Sequence, residues 1–140
     1  MITQHAERGA VSTEFAVVMA AFLTAFMLLV VFAGRVAQAE NDVRSAAQEA
    51  ARAASLAGDA DAATSEANRV AQANLTTAGM SCANGLAVDV STANFSPGGW
   101  VTVTVSCNAS FADVASLSVP GSRVFTGAAT EVVDTYRASP

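Results

Sequence analysis

The chain has 140 residues, a formal net charge of −5 at pH 7 and a pI near 4.6, and 52% of its residues are hydrophobic although only 6% are aromatic. This length allows one small domain beside an apolar N-terminal segment, so the remaining core must be modest. Phosphate backbones are bound by clustered Lys or Arg. The seven basic residues are dispersed, and we therefore expect no nucleic-acid partner.

The N-terminal part contains an apolar segment that carries no charge from Phe15 to Gly34. About 20 such residues are enough for a helix to cross the hydrocarbon core of a bilayer. Glu14 lies at the start of this segment, where an acid is unfavourable unless it has a partner or reaches water. The segment therefore predicts a transmembrane helix with one acidic side chain that needs an explanation.

A secretory signal peptide is an alternative interpretation of the N-terminus. Such a peptide has an apolar region of about 7 to 15 residues followed by a cleavage site between small residues. The apolar segment here is longer, and the small-residue match at Ala37-Gln38-Ala39 is weak in a chain this rich in alanine. A membrane anchor is favoured over cleavage after Ala39.

A short motif stands directly before the apolar segment: a glycine, four residues, then Glu-Phe. The strings Arg8-Gly9-Ala10 and Glu14-Phe15-Ala16 resemble the N-termini of TadE-like minor pilins or pseudopilins, which belong to tight-adherence (Flp-type, type IV-like) pilus systems. Residues 10–13 are small or β-branched, unlike the corresponding residues of type IVa pilins. The C-terminal third is also similar to the actinobacterial members of this family, whereas roughly residues 58–98 are weakly matched.

The resemblance implies a processing step and a set of partners. A prepilin peptidase would cut between Gly9 and Ala10 on the cytoplasmic side, and the leader 1–9 would be discarded. Glu14 and Phe15 belong to the same processing and assembly motif, and Glu14 would pair with the new N-terminal amine of a neighbouring subunit. The partners implied are the peptidase, other pilin subunits, the pilus assembly platform and the membrane. The alternative for Glu14 is an interfacial acid whose carboxylate reaches water.

Beyond the apolar segment the sequence predicts that the helix continues through 35–57, because this stretch contains no Gly or Pro and is rich in helix formers. Val36, Val43, Ala50 and Ala57 recur every seven residues with alanines between them, which indicates a seam of small side chains. The seam could pack against the rest of the subunit or against other subunits. After Gly58, Asp59 or Asp61 can cap a second helix from about Ala62 to Thr76. A divalent cation at these acids is the weaker interpretation.

Alternation with period two then predicts two strands joined by the turn at 94–99, and a third strand from Arg123 to Val133. The third strand has five residues on one of its faces: Val124, Thr126, Ala128, Thr130 and Val132. Cys82 leads into the first strand and Cys107 ends the second, which places both at one end of a hairpin. Outside the cytoplasm we expect a disulfide, worth about 3.5 kcal/mol for a loop of roughly 26 residues. In the cytoplasm, two buried free thiols are the better interpretation.

The aromatic residues Trp100 and Phe111 are interpreted mainly as caps on a thin core, with surface anchoring of a partner as the alternative. We expect no enzymatic activity, no metal site and no cofactor. Motifs for phosphate binding, nucleophilic catalysis and metal binding are absent from the sequence, and the single histidine lies in the leader. These expectations leave structural or interaction functions.

The predicted fold class is α+β and pilin-like: a long N-terminal transmembrane helix that continues into the soluble part, a second short helix, and a small three-stranded antiparallel sheet with one disulfide. The predicted organisation is a cleaved leader at 1–9, a transmembrane helix at 10–34, its extension at 35–57 and an extracytoplasmic α+β domain at 58–140. The predicted function is that of a minor pilin or pseudopilin subunit that is assembled into, or initiates, a tight-adherence pilus, with cell adhesion as the associated process. The alternative is a membrane-anchored extracytoplasmic binding module, an adhesin or sensor ectodomain, whose helix is a simple tether.

Overall fold

The computed structural model describes residues 7–82, 85–112 and 120–136, with side chains from residue 13 onward. Residues 1–6 of the predicted leader, including His5, lie outside the described residues. The elements in chain order are helix α1 (Glu7–Ser55), helix α2 (Ala60–Thr77) and strands β1 (Leu86–Asn94), β2 (Trp100–Ser110) and β3 (Ser122–Val132). The strands form one antiparallel sheet in the order β1-β2-β3. The predicted α+β fold class is confirmed.

The chain divides into two compact units, Met1–Gly34 and Arg35–Pro140. The described part of the first unit is the apolar part of α1. Its most apolar stretch of 18 residues has a mean hydropathy of 2.8, and none of that stretch is buried within the protein. By length and composition α1 is therefore able to cross a membrane, whose hydrocarbon core requires about 20 apolar residues.

In the second unit, α1 buries a row of small side chains in the core. The row consists of Ala39, Val43, Ala46, Ala47, Ala50, Ala51 and Ala54, and the partly buried Val36 and Ala57 continue it at the two ends. Four side chains of α2 belong to the same core cluster: Ala63, Ala67, Ala71 and Leu75. The predicted seam therefore packs within the subunit. The sequence had left open whether it packs there or against other subunits.

Helix α2 has well-defined ends. The carboxylate of Asp59 accepts a hydrogen bond of 2.8 Å from the backbone N–H of Ala62, which makes Asp59 the N-cap. At the other end Gly79 has a positive φ of 73°, and the N–H of Met80 donates to the carbonyl of Leu75. This is the Schellman arrangement, which is favoured by glycine because a Cβ is disfavoured at that φ. The capping interpretation of Asp59 is confirmed.

The sheet has a buried inner face and a more exposed outer face. The inner face of β2 is formed by Val101, Val103, Val105, Cys107 and Ala109, all buried, and β3 adds the buried residues Phe125 and Gly127. The five β3 residues predicted to share a face do so, but that face is the outer one. Two Thr/Ser pairs join β2 and β3 there, with hydroxyl oxygens 2.8 Å apart for Thr102 and Thr130 and 3.2 Å apart for Ser106 and Thr126.

Helix α1 contacts β3 at three places in the second unit, and the contacts follow the same order along both elements. Arg123 forms an ion pair of 2.9 Å with Glu40. Gly127 lies against the backbone of Arg44. The N–H of Asp134, just after β3, donates to the carbonyl of Ser55 at 3.2 Å. This part of α1 therefore runs in the same general direction as β3.

Candidate processing and assembly site

The predicted processing motif lies on helical backbone. Helix α1 begins at Glu7, so Gly9 and Ala10 are within its range, and the helix includes the last three residues of the predicted leader. Ala10 and Glu14 are four residues apart, which corresponds to about 6 Å along a helix axis. Positions separated in this way lie on the same face of a helix. An amine created at Ala10 would therefore lie on the face that carries Glu14.

Glu14 and Phe15 are both exposed, and 66% of the surface of Phe15 is accessible. Glu14 lines a shallow surface groove with Thr13, Val17 and Val18. Among the side chains that the structure describes, the ion pairs are Glu66–Arg69 and Glu40–Arg123. Glu14 thus has no intramolecular ion-pair partner in this set. A carboxylate at the start of an apolar helix costs less free energy when it pairs with a cation or reaches water.

The rest of the apolar segment presents large side chains around the helix. The exposed ones between Phe15 and Val31 are Phe15, Val17, Val18, Met19, Phe22, Leu23, Phe26, Met27, Leu28, Leu29, Val30 and Val31. A helix that is apolar on all sides is stable only when it is surrounded by other apolar groups, either lipid or protein. Thr24 is compatible with such surroundings because its hydroxyl donates to the carbonyl of Ala20 at 2.8 Å.

The two cysteines form a disulfide, with their Cα atoms 5.1 Å apart. Cys107 is fully buried on the inner face of β2 and pairs in register with Leu86 of β1, while Cys82 lies just before β1 and is partly buried. The bond therefore fastens the connection between α2 and β1 to the end of β2. The predicted disulfide is confirmed, and the alternative of two free thiols is wrong.

The described residues contain no group of three or more His, Cys, Asp or Glu side chains that could hold a metal ion. Helix α2 carries a surface ion pair in which Arg69 donates to Glu66, with a shortest distance of 2.6 Å. This hydrogen bond lowers the pKa of the Glu66 carboxyl and raises the pKa of Arg69. The pair is exposed, so it contributes little to folding.

Sequence reasoning misjudged Trp100 and missed the role of Gly127. Trp100 is 53% exposed on the outer face of the sheet and is not part of the core, so its interpretation as a core cap is wrong. Phe111 is partly buried beside Gly121. Gly127 lies in β3 at a point where the backbone of α1 comes close to the strand. A glycine inside a strand was the available signal, because such a glycine often marks a close approach of another backbone.

The apolar part of α1, whose most apolar stretch is not buried within the protein, indicates a single-pass membrane protein. Residues 9–52 match the family model described as TadE-like protein. This segment is therefore similar to the TadE-like family, which agrees with the resemblance drawn from the motif. No curated protein and no solved structure matches the chain.

Proposed function

We propose that the chain is a minor pilin or pseudopilin of a tight-adherence pilus system, cut by a prepilin peptidase between Gly9 and Ala10. The observation that carries the proposal is the span of the family match, which begins at Gly9 and continues through the apolar segment to residue 52. The match thus includes the glycine, the Glu14-Phe15 pair and the helix that follows them. A simple tether would need only the apolar helix.

The role proposed for Glu14 rests on its surroundings. Its carboxylate is exposed and has no ion-pair partner among the described side chains of its own chain. The amine released at Ala10 of a neighbouring subunit would supply the positive charge with which the Glu14 carboxylate pairs. Pairing would reduce the cost of placing both charges in an apolar environment and would favour lateral association of the helices. We propose no enzymatic activity for the chain.

The disulfide supports a location of the second unit outside the cytoplasm. Disulfides form and persist in oxidising compartments, and cytosolic thiols are kept reduced. We therefore propose that the short N-terminus is cytoplasmic, where the peptidase acts, and that the Cys82–Cys107 bond forms on the far side of the membrane. A single membrane helix connects these two locations.

The deciding experiment is the mass of the mature N-terminus in cells that make the whole pilus system. We expect a start at Ala10. An intact Met1 would contradict processing, and a start at Glu40 would indicate a secretory signal instead. In the variant Gly9→Leu the leader should remain attached, because the bulky side chain occupies the cut position. Gly34→Leu is the matched control, since nothing lies within 4 Å of a Cβ at Gly34, and it should be processed normally.

A further inference from the structure

The bond proposed for cleavage is held closed by the helix that contains it. Helix α1 begins at Glu7, so the backbone on both sides of the bond between Gly9 and Ala10 is helical. In an α-helix each carbonyl accepts a hydrogen bond from the N–H four residues ahead. The carbonyl of Gly9, whose carbon atom water must attack for the bond to break, is therefore occupied by the N–H of Thr13. A peptidase has no access to this carbonyl while the helix is intact.

Opening the start of α1 would release this carbonyl. A folded segment is cut through its transiently opened form, and the rate follows the population of that form when opening and closing are fast compared with cleavage. The segment that must open, residues 7–13, precedes the uncharged apolar segment that begins at Phe15. Water there can satisfy the freed N–H and carbonyl groups, whereas the hydrocarbon core offers them no partner. The structure therefore permits opening at this end of α1 and opposes it further along.

The residues between the cut and the apolar segment favour opening. Gly9 is a poor helix former, and residues 11–13 are Val, Ser and Thr, which form helix less readily than alanine. Threonine is also among the residues preferred at the N-cap, the position just before a helix starts. A helix that began at Glu14 would have Thr13 at its N-cap and a carboxylate in its first turn, where negative charge is stabilising. The sequence thus provides a second start for α1 directly after Thr13.

We propose that the peptidase cuts the chain while α1 is open up to Thr13, and that residues 11–13 set the rate of cutting by setting how often this opening occurs. In the open form water adds across the bond, which leaves a carboxylate on Gly9 and an amine on Ala10. Thr13 is a positioning residue, because its backbone N–H either occupies or frees the carbonyl of Gly9. Cleavage itself belongs to the proposed function, on which this inference rests.

The test is cleavage of the full chain in detergent by the purified prepilin peptidase of the same cells, with the substrate below its KM. Thr13→Gly and Thr13→Asn disfavour the helix and keep a good N-cap, whereas Thr13→Ala favours the helix and removes the cap. We expect the first two variants to be cut roughly fivefold faster than Thr13→Ala, or more. A side chain that contacted the peptidase would give another order, because alanine lies between glycine and asparagine in size.

Thr24 provides the matched control, since it is an exposed threonine of the same helix, and its hydroxyl donates to the carbonyl of Ala20. Thr24→Gly and Thr24→Ala should be cut at the native rate. Amide hydrogen exchange at residue 13, corrected for residue type, reports the opening directly. It should be faster in Thr13→Gly and Thr13→Asn than in Thr13→Ala.

Equal rates of cutting for the three Thr13 variants, rates that follow side-chain size, or equal effects of the Thr24 variants would overturn this inference and leave cleavage at Gly9 in place. A native chain that the peptidase does not cut would overturn the proposed processing, and the inference with it. Cutting rates that follow the exchange rates at residue 13 are the result we expect.

Discussion

Helix α1 comes close to the sheet where Arg44 lies against Gly127: a Cβ atom added at Gly127 would lie 2.8 Å from the Cα atom of Arg44. The same added atom would lie 2.9 Å from the carbonyl oxygen of Val43. Both neighbours are backbone atoms of a helix and cannot rotate away as a side chain would. The absence of a side chain at Gly127 therefore sets the distance between α1 and β3.

The first prediction concerns this contact. Gly127→Ala should lower the free energy of unfolding of the second unit by about 2 kcal/mol or more, because overpacking forces backbone shifts. Gly58→Ala is the matched control, since nothing lies within 4 Å of a Cβ there. Gly58→Ala should change the free energy of unfolding by no more than about 1 kcal/mol. Urea unfolding of the full chain in detergent, monitored by Trp100 fluorescence, measures the free energy of unfolding of both variants. Equal stabilities of the two variants would contradict the packing described at Gly127.

The second prediction concerns the disulfide, which closes a sequence separation of 25 residues. The double variant Cys82→Ala/Cys107→Ala should lose about 3.5 kcal/mol of stability, mainly because its unfolded chain is less restricted. The same unfolding assay with a reducing agent should destabilise the native chain by a similar amount and leave the double variant unchanged. A reductant effect on the double variant would show that the loss has another origin.

The third prediction concerns Glu14. Glu14→Ala should insert into the membrane at least as well as the native chain, because a polar group is removed from the apolar helix, and should be depleted from assembled pili. Membrane fractionation and immunoblotting of sheared filaments measure the two quantities. Glu14→Gln, which keeps the shape and removes the charge, should behave like Glu14→Ala. Thr24→Ala, which removes a hydroxyl from the same exposed helix, should assemble normally. Normal assembly of Glu14→Gln would show that the negative charge of Glu14 is not required for assembly.

The fourth prediction concerns pH. Because the hydrogen bond from Arg69 lowers the pKa of Glu66, the pair stabilises α2 at pH values above the carboxyl's unfolded pKa. This stabilisation is lost as the pH falls through the lowered value in the folded state. A carbon-13 NMR titration of the Glu66 carboxyl should show a pKa below the usual range. Arg69→Gln should raise it, while Arg44→Gln should not. An unchanged pKa in Arg69→Gln would assign the lowering to another cause.

The features that the sequence predicted well depend on local chemistry. Asp59 caps α2 because its carboxylate reaches an amide three residues ahead, and such a preference is visible in a short string. The turn at 94–99 contains Pro97, Gly98 and Gly99, and a Cβ at Gly99 would lie against the carbonyl of Asn94. The Glu14-Phe15 motif is local as well, and its role in processing and assembly stays a prediction. For this reason the candidate site was predicted from a few adjacent residues.

The features that could not be predicted depend on what packs against an element. In β3 the alternation offers Val124 and Val132 on one face and Phe125 and Gly127 on the other. Hydrophobicity alone does not reveal that the face with the glycine is the buried one. It is buried because α1 requires a flat surface there. Trp100 is a second feature of this type. A large aromatic residue in a strand is usually buried, but this one lies on the outer face.

The three contacts between α1 and β3 have a mechanical consequence. Arg35 is the residue through which the chain enters the second unit, so a pull on that end acts along the helix. Along α1, Glu40, Arg44 and Ser55 contact Arg123, Gly127 and Asp134 in the same order, the first two partners in β3 and the third just after it. The first and last of these contacts are about 22 Å apart along the helix, so a pull on α1 would act on contacts spread over this length and not on a single one.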